Sequence, residues 1–336
     1  MLRPKRVDAL LCGLLLCACG GSTANQRPSA SAADARLADD AEASAPEASA
    51  LVKQGEAKLG QNDAAGAKQL FEQALAQNGS DARAALDLGI ASELLGDAAG
   101  AETAYRKALK AKPDLTQAQN NLGVLLRDKG QLPEAIKLLE QASSSDTAAA
   151  HQNLALAYED QGNLDGAAKH YARAVQLAPD DVMTRANYGL LLLKQNKAEQ
   201  AVRELEQARD AAKGNRAASL AIGNGLRRAG ANEAALVAMQ NAVSAGGEPA
   251  TPALLSELAL AQRTAGKREE AVATLEKVIA MDEKYATAHY LLGNMLAADK
   301  KFPEAKKHYE RYLKLEPNGE QAARAKERLS VIAKAK

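Results

Sequence analysis

Residues 84–113 read AALDLGIASELLGDAAGAETAYRKALKAKP, and this stretch contains the pattern that decides the fold. Gly89 is followed, after eleven intervening residues, by Ala101, and then come Tyr105, Ala108 and Pro113. On both sides of the central turn, apolar residues recur at intervals of three and four, which is the spacing of one face of an α-helix. The stretch therefore predicts two amphipathic helices joined by a turn.

The same pattern occurs eight times along the chain. The central alanine of each copy marks the period, with successive separations of 34, 34, 32, 34, 34, 36 and 34 residues: Ala67, Ala101, Ala135, Ala167, Ala201, Ala235, Ala271 and Ala305. The deletion near Ser145 and the insertion near Gly246 both fall between copies, where a loop can absorb them. Eight copies in phase predict a regular array of helix pairs.

A small residue stands at a fixed point of each first helix, and we number it position 8 of the repeat. It is Gly55, Gly89, Gly123, Ala155, Gly189, Gly223, Ala259 or Gly293. Glycine inside a helix costs about 1 kcal/mol relative to alanine, so its recurrence predicts that the second helix approaches closely at this point. We expect the alanines of the second helix to meet it there.

Turn residues support the same division into pairs. Glycine lies between the two helices of five copies, at Gly96, Gly130, Gly162, Gly230 and Gly266. Pro133 and Pro303 lie near the start of a second helix, where the missing N–H does no harm.

These landmarks resemble those of the tetratricopeptide repeat (TPR) family, with its L-G-x2-Y, A-x3-F and P motifs at a 34-residue period. The resemblance covers residues 48–317 and implies an all-α, right-handed superhelical solenoid of about eight helix-turn-helix repeats. The sequence departs from the family pattern in lacking tryptophan, because the tryptophan position holds Leu51, His151 or His289 among others.

A solenoid of stacked pairs needs a terminal cap. Residues 318–336 predict a C-terminal capping helix, with Ala322, Leu329 and Ile332 covering the last repeat. Residues 300–336 contain eleven Lys or Arg against five Glu. This excess is consistent with a solvated capping helix, or alternatively with attachment to anionic lipid headgroups or to an acidic partner.

The N-terminal residues 1–18 resemble a bacterial lipoprotein signal peptide. A basic start is followed by a short apolar run, Ala9 to Cys17, that is too short to span a bilayer. Leu16-Cys17-Ala18-Cys19 resembles the lipobox, and by that resemblance Cys19 is the lipid-attachment residue. The alternatives are an ordinary cleaved signal peptide and a C-x-C metal or redox pair. The latter has no partner, because residues 20–336 contain no cysteine.

Residues 19–47 consist of the predicted lipidated cysteine and a segment poor in large apolar residues, which predicts a disordered tether. A flexible chain of this length has an end-to-end distance of roughly 30 Å. By resemblance to Gram-negative lipoproteins, Gly20 directly after the cysteine implies transport to the outer membrane, facing the periplasm.

Candidate binding residues lie on the first helices. Asparagine occupies repeat position 6 in three consecutive copies, at Asn121, Asn153 and Asn187, and later copies carry it one turn on, at Asn224 and Asn294. An amide both donates and accepts hydrogen bonds, so a row of amides can pair with the backbone of an extended peptide. Position 12 carries Arg127, Arg227 and Arg263, which can bind a carboxylate. However, Glu93 and Glu159 occupy the same position elsewhere, so we expect no carboxylate clamp of the chaperone-binding type.

The sequence offers little support for enzyme function. The four histidines form two matched pairs, His151 with His170 and His289 with His308, and the repetition indicates shared repeat ancestry rather than a zinc site. The G-x-G of IGNGLRRAG lies on a predicted helix without a preceding strand, which is not a nucleotide fingerprint. We expect no cofactor, and a formal charge of +1 gives no case for nucleic-acid binding.

The sequence thus predicts a non-enzymatic, lipid-anchored TPR scaffold that binds one or more envelope proteins or extended peptides. It would act in assembly of a pilus, secretion, motility or outer-membrane machine. The alternative is a peptide-binding module that delivers substrates to an envelope protease or peptidoglycan enzyme.

Overall fold

The computed structural model describes residues 46–247 and 249–334. The predicted signal peptide, Cys19 and nearly all of the predicted tether lie outside the described residues. Within the described part, the chain forms seventeen α-helices and no strand. They are α1 (Pro46–Gly60), α2 (Ala64–Gln77), α3 (Ala82–Leu94), α4 (Ala98–Ala111), α5 (Thr116–Asp128), α6 (Leu132–Ser143), α7 (Ala148–Gln161), α8 (Leu164–Leu177), α9 (Val182–Lys194), α10 (Ala198–Ala211), α11 (Arg216–Arg228), α12 (Asn232–Ser244), α13 (Pro252–Thr264), α14 (Arg268–Met281), α15 (Ala286–Ala298), α16 (Phe302–Leu315) and α17 (Ala322–Lys334).

The helices pack as eight consecutive pairs, which confirms the predicted helix-turn-helix repeats. Each first helix packs against its own second helix, and each second helix packs against the next first helix. First helices of neighbouring pairs also touch, for example α5 with α7 and α9 with α11. We number the pairs repeat 1 (α1 and α2) to repeat 8 (α15 and α16).

The turn inside every pair contains one residue with a left-handed backbone. In five pairs it is the predicted glycine, with φ from 74° to 84°. The other three pairs place Asn62, Asn196 and Lys300 there, with φ of 60°, 60° and 59°. Glycine adopts this conformation without a Cβ penalty and asparagine tolerates it, whereas lysine does so under strain.

The core is built where the second helix meets the small residue at position 8. All eight central alanines are fully buried. The atoms that face the glycines, however, belong mainly to the large side chain four residues after the central alanine, at position 24. A Cβ on Gly89 would lie 2.3 Å from Tyr105 Cε1, and one on Gly123 would lie 2.6 Å from Leu139 Cγ. The central alanines also meet this point in two repeats, since a Cβ on Gly123 would lie 3.3 Å from the carbonyl oxygen of Ala135, and one on Gly189 would lie 3.3 Å from that of Ala201.

The chain ends on a helix that covers repeat 8. Ala322, Ala325 and Ile332 of α17 are buried, and Leu329 packs against the same hydrophobic cluster as Leu292 of repeat 8. This confirms the predicted capping helix. No helix in the described part of the chain combines the length and apolarity needed to cross a bilayer.

Candidate functional site

The predicted asparagine row exists in part, and it includes a residue that the sequence analysis missed. Asn153 Nδ2 on α7 donates to Asn120 Oδ1 on α5 at 2.9 Å, and Asn120 Nδ2 lies 3.4 Å from Asn121 Oδ1. All three side chains are half-buried. Asn120 at position 5 therefore joins the position-6 residues of repeats 3 and 4. The Asn-Asn pair at 120–121 was the signal that could have revealed this link.

The amide row has two open ends. Asn121 Nδ2 donates no hydrogen bond, and Asn153 Oδ1 accepts none, among the described residues. A donor at one end and an acceptor at the other are the two groups that an extended backbone requires. The row is therefore preorganised by its internal bonds while keeping hydrogen-bonding capacity at both ends.

The remaining predicted asparagines are separate from this row. Asn187 on α9 is half-buried and makes no hydrogen bond to Asn153. Asn224 accepts from Arg227 Nη2 at 3.0 Å, and Asn294 accepts from the Tyr309 hydroxyl at 2.8 Å. The oxygens of these last two side chains are thus already engaged within their own repeats.

Two of the three predicted arginines contact carboxylates of the next repeat. The Arg127 guanidinium contacts Asp128 at 2.9 Å and Asp160 of repeat 4 at 3.6 Å. Arg227 lies 3.6 Å from Glu257 of repeat 7.

These contacts leave hydrogen-bonding capacity unused. Arg127 Nη1, Arg227 Nε and Glu257 Oε2 are buried atoms that make no hydrogen bond within the described part of the chain. Burial raises the pKa of the Glu257 carboxyl, although Arg227 acts in the opposite direction.

Arg263 differs from the other two arginines at position 12. Its side chain is exposed, and in the described ranges it makes no ion pair. It is therefore the position-12 arginine most accessible to a carboxylate of another molecule.

Glutamate at position 12 has an internal role that the sequence analysis did not identify. The Tyr105 hydroxyl donates to Glu93 Oε2 at 2.6 Å, and the Tyr171 hydroxyl donates to Glu159 Oε2 at 3.1 Å. A buried tyrosine hydroxyl needs an acceptor, and these carboxylates supply it. Glu93 and Glu159 therefore each accept a hydrogen bond from the core tyrosine of their own repeat, and Glu159 Oε1 also pairs with Lys194 of repeat 5 at 2.5 Å.

The G-x-G of α11 serves packing. A Cβ on Gly223 would lie 2.9 Å from Met239 Cε, and one on Gly225 would lie 2.8 Å from Leu190 Cδ2 of α9. The two glycines thus allow close approach of two different helices. In the described ranges, no group of three or more His, Cys, Asp or Glu side chains is placed to hold a metal ion.

The C-terminal basic residues lie on the solvent side of α17. Lys326, Arg328 and Lys334 are exposed, while the opposite face of the helix is buried against repeat 8. This arrangement is consistent with a solvated cap and leaves the cations accessible.

Comparison with known proteins gives matches to repeat families. Two tetratricopeptide repeat models match the chain, one over residues 52–116, 117–182 and 256–332 and the other over residues 158–222. Together these ranges cover well over half of the chain. A search of curated protein sequences gives no significant match.

Solved structures with a similar fold are distant in sequence. PilW, described as a widely conserved type IV pilus biogenesis factor, is 17% identical with a TM-score of 0.53, covering 59% of this chain and 92% of its own. A tetratricopeptide repeat protein from Parabacteroides merdae is 21% identical with a TM-score of 0.49, covering 76% of this chain and 100% of its own. YrrB, described as a TPR protein with an unusual peptide-binding site, is 20% identical with a TM-score of 0.44, covering 52% and 90%. At these identities the likeness concerns the fold.

Proposed function

Because the chain belongs to the tetratricopeptide repeat family, we propose that it is a membrane-anchored scaffold that binds other cell-envelope proteins through its first helices. The observation that carries this proposal is the amide row of Asn121, Asn120 and Asn153 across two repeats. Such a scaffold would serve assembly of a pilus, secretion, motility or outer-membrane machine.

The chemistry of the row favours an extended segment of the partner. Its open donor at Asn121 and open acceptor at Asn153 can pair with backbone C=O and N–H groups regardless of the side chains. Arg263, which is exposed and forms no ion pair with the residues that the structure describes, offers a second contact for an acidic side chain or a chain terminus.

The anchor is the second part of the proposal. Lipidated Cys19, followed by the tether up to the start of α1 at Pro46, would hold the repeats near the periplasmic face of the outer membrane. More than one acyl chain is needed for stable anchoring, and the lipobox resemblance implies several. Replacing Cys19→Ser should move the protein from the membrane fraction to the soluble fraction. An unchanged distribution would contradict the anchor.

Site-specific crosslinking tests the binding surface. A photoreactive amino acid at Asn121, Asn153 or Asn187, in the full-length protein in its native cells, should capture envelope proteins that mass spectrometry can identify. Gln200 on the exposed side of α10 is the matched control. Equal capture from Gln200 and from the three asparagine positions would contradict the proposal.

The same experiment separates the second candidate function, a peptide-binding module that delivers substrates to an envelope protease or peptidoglycan enzyme. The short length of the amide row, which covers only α5 and α7, favours a single extended ligand. One dominant ligand captured at Asn121 and Asn153 would support that module. Several partners captured from separate surfaces, including Arg263, would support the scaffold.

A further inference from the structure

In three repeats, the side chain at position 4, the family's tryptophan position, makes a polar contact with a side chain of the second helix. We call this contact a tie. In repeat 5, Arg185 Nη1 on α9 lies 2.8 Å from Glu204 Oε2 on α10. In repeat 4, His151 Nδ1 on α7 lies 2.9 Å from His170 Nδ1 on α8. The partner stands nineteen residues after the position-4 side chain in each case, so the three ties are structurally equivalent.

The third tie joins His289 Nδ1 on α15 to His308 Nδ1 on α16 at 3.0 Å. It repeats the geometry of the first histidine pair. The ring planes are inclined by only 23° in repeat 4 and 29° in repeat 8, and the ring centroids lie 5.2 and 5.3 Å apart. Rings at these separations meet end to end, with their Nδ1 atoms pointing at each other.

End-to-end imidazoles share one proton. One Nδ1 must donate and the other must accept, so each pair can hold a single positive charge but not two. The Nδ1 atoms are also too close to share a tetrahedral zinc ion, since Zn–N distances of about 2.0–2.1 Å place two ligand nitrogens more than about 3 Å apart. A second proton would place two N–H groups against each other and break the tie.

The second nitrogen of each first-helix histidine is also held. His151 Nε2 lies 3.0 Å from Asp146 Oδ1, and Arg173 on α8 pairs with the same carboxylate. His289 Nε2 lies 3.1 Å from the carbonyl oxygen of Glu283, and Arg311 on α16 pairs with the Glu283 carboxylate at 3.0 Å. These bonds fix the rings in the facing orientation.

The charged surroundings of the two pairs differ. Around His170 lie Tyr158 of α7, Glu140 of α6 and Lys169 of its own helix, and Glu140 favours the protonated ring. Around His308, besides His289, the charged neighbour is Lys307, which disfavours it. Repeat 4 therefore accommodates added positive charge better than repeat 8 does.

We propose that the two histidine ties are acid-sensitive latches, so that mild acidification opens the helix pairs of repeats 4 and 8 while repeat 5 stays closed. The Arg185–Glu204 tie keeps both of its charges over the range in which histidine titrates. Opening of repeat 4 would also displace α7, which carries Asn153 of the amide row, so binding of a partner there would weaken on acidification.

The direction of the effect follows from the histidine pKa values. Burial and the facing histidine lower the pKa of His170, and the same two causes lower the pKa of His308 to about 4. An opened pair regains the ordinary histidine pKa of about 6.5. Between these values the opened state binds more protons than the closed state, so closure is fully favoured above about pH 6.5 and weakens as pH falls towards 4.

Hydrogen exchange of the full chain, resolved to peptides and corrected for the intrinsic pH dependence, tests this at pH 7.5, 6.0 and 5.0. The opening equilibrium of α15–α16 should rise by up to about tenfold per pH unit below 6.5. That of α7–α8 should rise less, and that of α9–α10 should stay constant. Equal loss of protection in all three pairs would overturn the proposal.

Two variants sharpen the measurement. His170→Gln keeps a neutral hydrogen-bonding side chain that cannot titrate, so the acid response of α7–α8 should disappear while that of α15–α16 remains. The double variant His151→Arg/His170→Glu gives repeat 4 the tie of repeat 5 and should have the same result. If the double variant does not fold, His170→Gln decides alone. A full acid response of α7–α8 in His170→Gln would overturn the latch.

Discussion

Repeats 2 and 3 share one backbone arrangement, but they use their first helices differently. In repeat 2, Asp87 and Glu93 are occupied within the repeat, since Asp87 accepts from Arg83 at 2.9 Å and Glu93 accepts from Tyr105. Arg83 also pairs with Glu56 of the preceding repeat at 2.8 Å. In repeat 3, the polar side chains reach the next repeat. Asn120 bonds Asn153, and Arg127 contacts Asp160.

The difference originates in the core, at position 24. Tyr105 brings a buried hydroxyl that needs an acceptor, and Glu93 at position 12 supplies it. Leu139 in repeat 3 has no such need, so position 12 is free to carry Arg127. Repeat 4 follows repeat 2, with Tyr171 and Glu159. In repeats 2 and 4 the core tyrosine thus occupies the charge at position 12, whereas in repeat 8 the Tyr309 hydroxyl donates to Asn294 at position 9.

The largest expected effect on stability comes from adding a methyl group at Gly89, where the Tyr105 ring packs against the helix backbone. In Gly89→Ala the new Cβ would lie 2.3 Å from Tyr105 Cε1, so the fully buried ring or the helix must move. We expect the free energy of unfolding, measured by urea denaturation, to fall by about 3 kcal/mol.

The matched change in repeat 3 is Gly123→Ala, where the nearest atom would be Leu139 Cγ at 2.6 Å. A leucine side chain can change rotamer, so we expect a loss that is about 1 kcal/mol smaller. An equal or larger loss at Gly123 would contradict the account of the tyrosine core.

Asp87 provides the next contrast, because it holds position 6 of repeat 2, where repeat 3 has Asn121. Burial raises the pKa of the Asp87 carboxyl to about 6, although Arg83 acts in the opposite direction. The folded state therefore binds more protons than the unfolded state between about pH 4 and 6, so this group makes stability fall as pH rises through that range.

Asp87→Asn removes the ionisation and installs the residue of repeat 3. We expect the variant to be more stable than the natural chain by about 1 to 3 kcal/mol at pH 8. The difference should shrink towards zero at pH 4. Urea denaturation at both pH values measures it, and a variant less stable at pH 8 would show that the Arg83 pair outweighs the burial.

Tyr105→Phe tests the hydrogen bond that defines repeat 2. The change removes the donor to Glu93 while keeping the ring, and we expect a loss of about 1 to 2 kcal/mol in the free energy of unfolding. Combined with Glu93→Ala, the two losses should not add, because each variant removes the same bond. Leu139→Met in repeat 3 is the control, with a smaller loss. Additive losses would argue against the coupling of positions 12 and 24.

The helix pairs could be predicted from the sequence because the residues at position 8, the central alanines and the turn glycines are each required by local sterics. The structural role of Gly89 or Gly96 therefore follows from its own position, without knowledge of a partner residue. The contacts between Asn120 and Asn153, or between Tyr105 and Glu93, join different repeat positions. Aligning the repeats at position 6 alone therefore found Asn121 and Asn153 but missed the residue that links them.

The same limit applies to the ties at position 4. The histidine pairs are apparent from the sequence because histidine is rare in this chain, with four in all. Arg185 and Glu204 have the same separation of nineteen residues, but charged residues are common, so their pairing was not apparent. The pairing became apparent only from the structure, in which the Arg185 and Glu204 side chains point towards each other across α9 and α10.

The smallest effect on stability, and the most specific effect on binding, is expected from Asn120→Leu, which gives repeat 3 the Leu86 of repeat 2. The change removes both bonds of the amide row, but the side chain is half-buried and leucine adds apolar contact, so the free energy of unfolding should change by less than about 1 kcal/mol. Photocrosslinking from Asn187, which lies outside the row, should nevertheless fall, because the Asn121 and Asn153 amides are no longer held in place. Gln152→Leu at the same position of repeat 4 is the control, and an equal fall there would show that the row does not orient the partner.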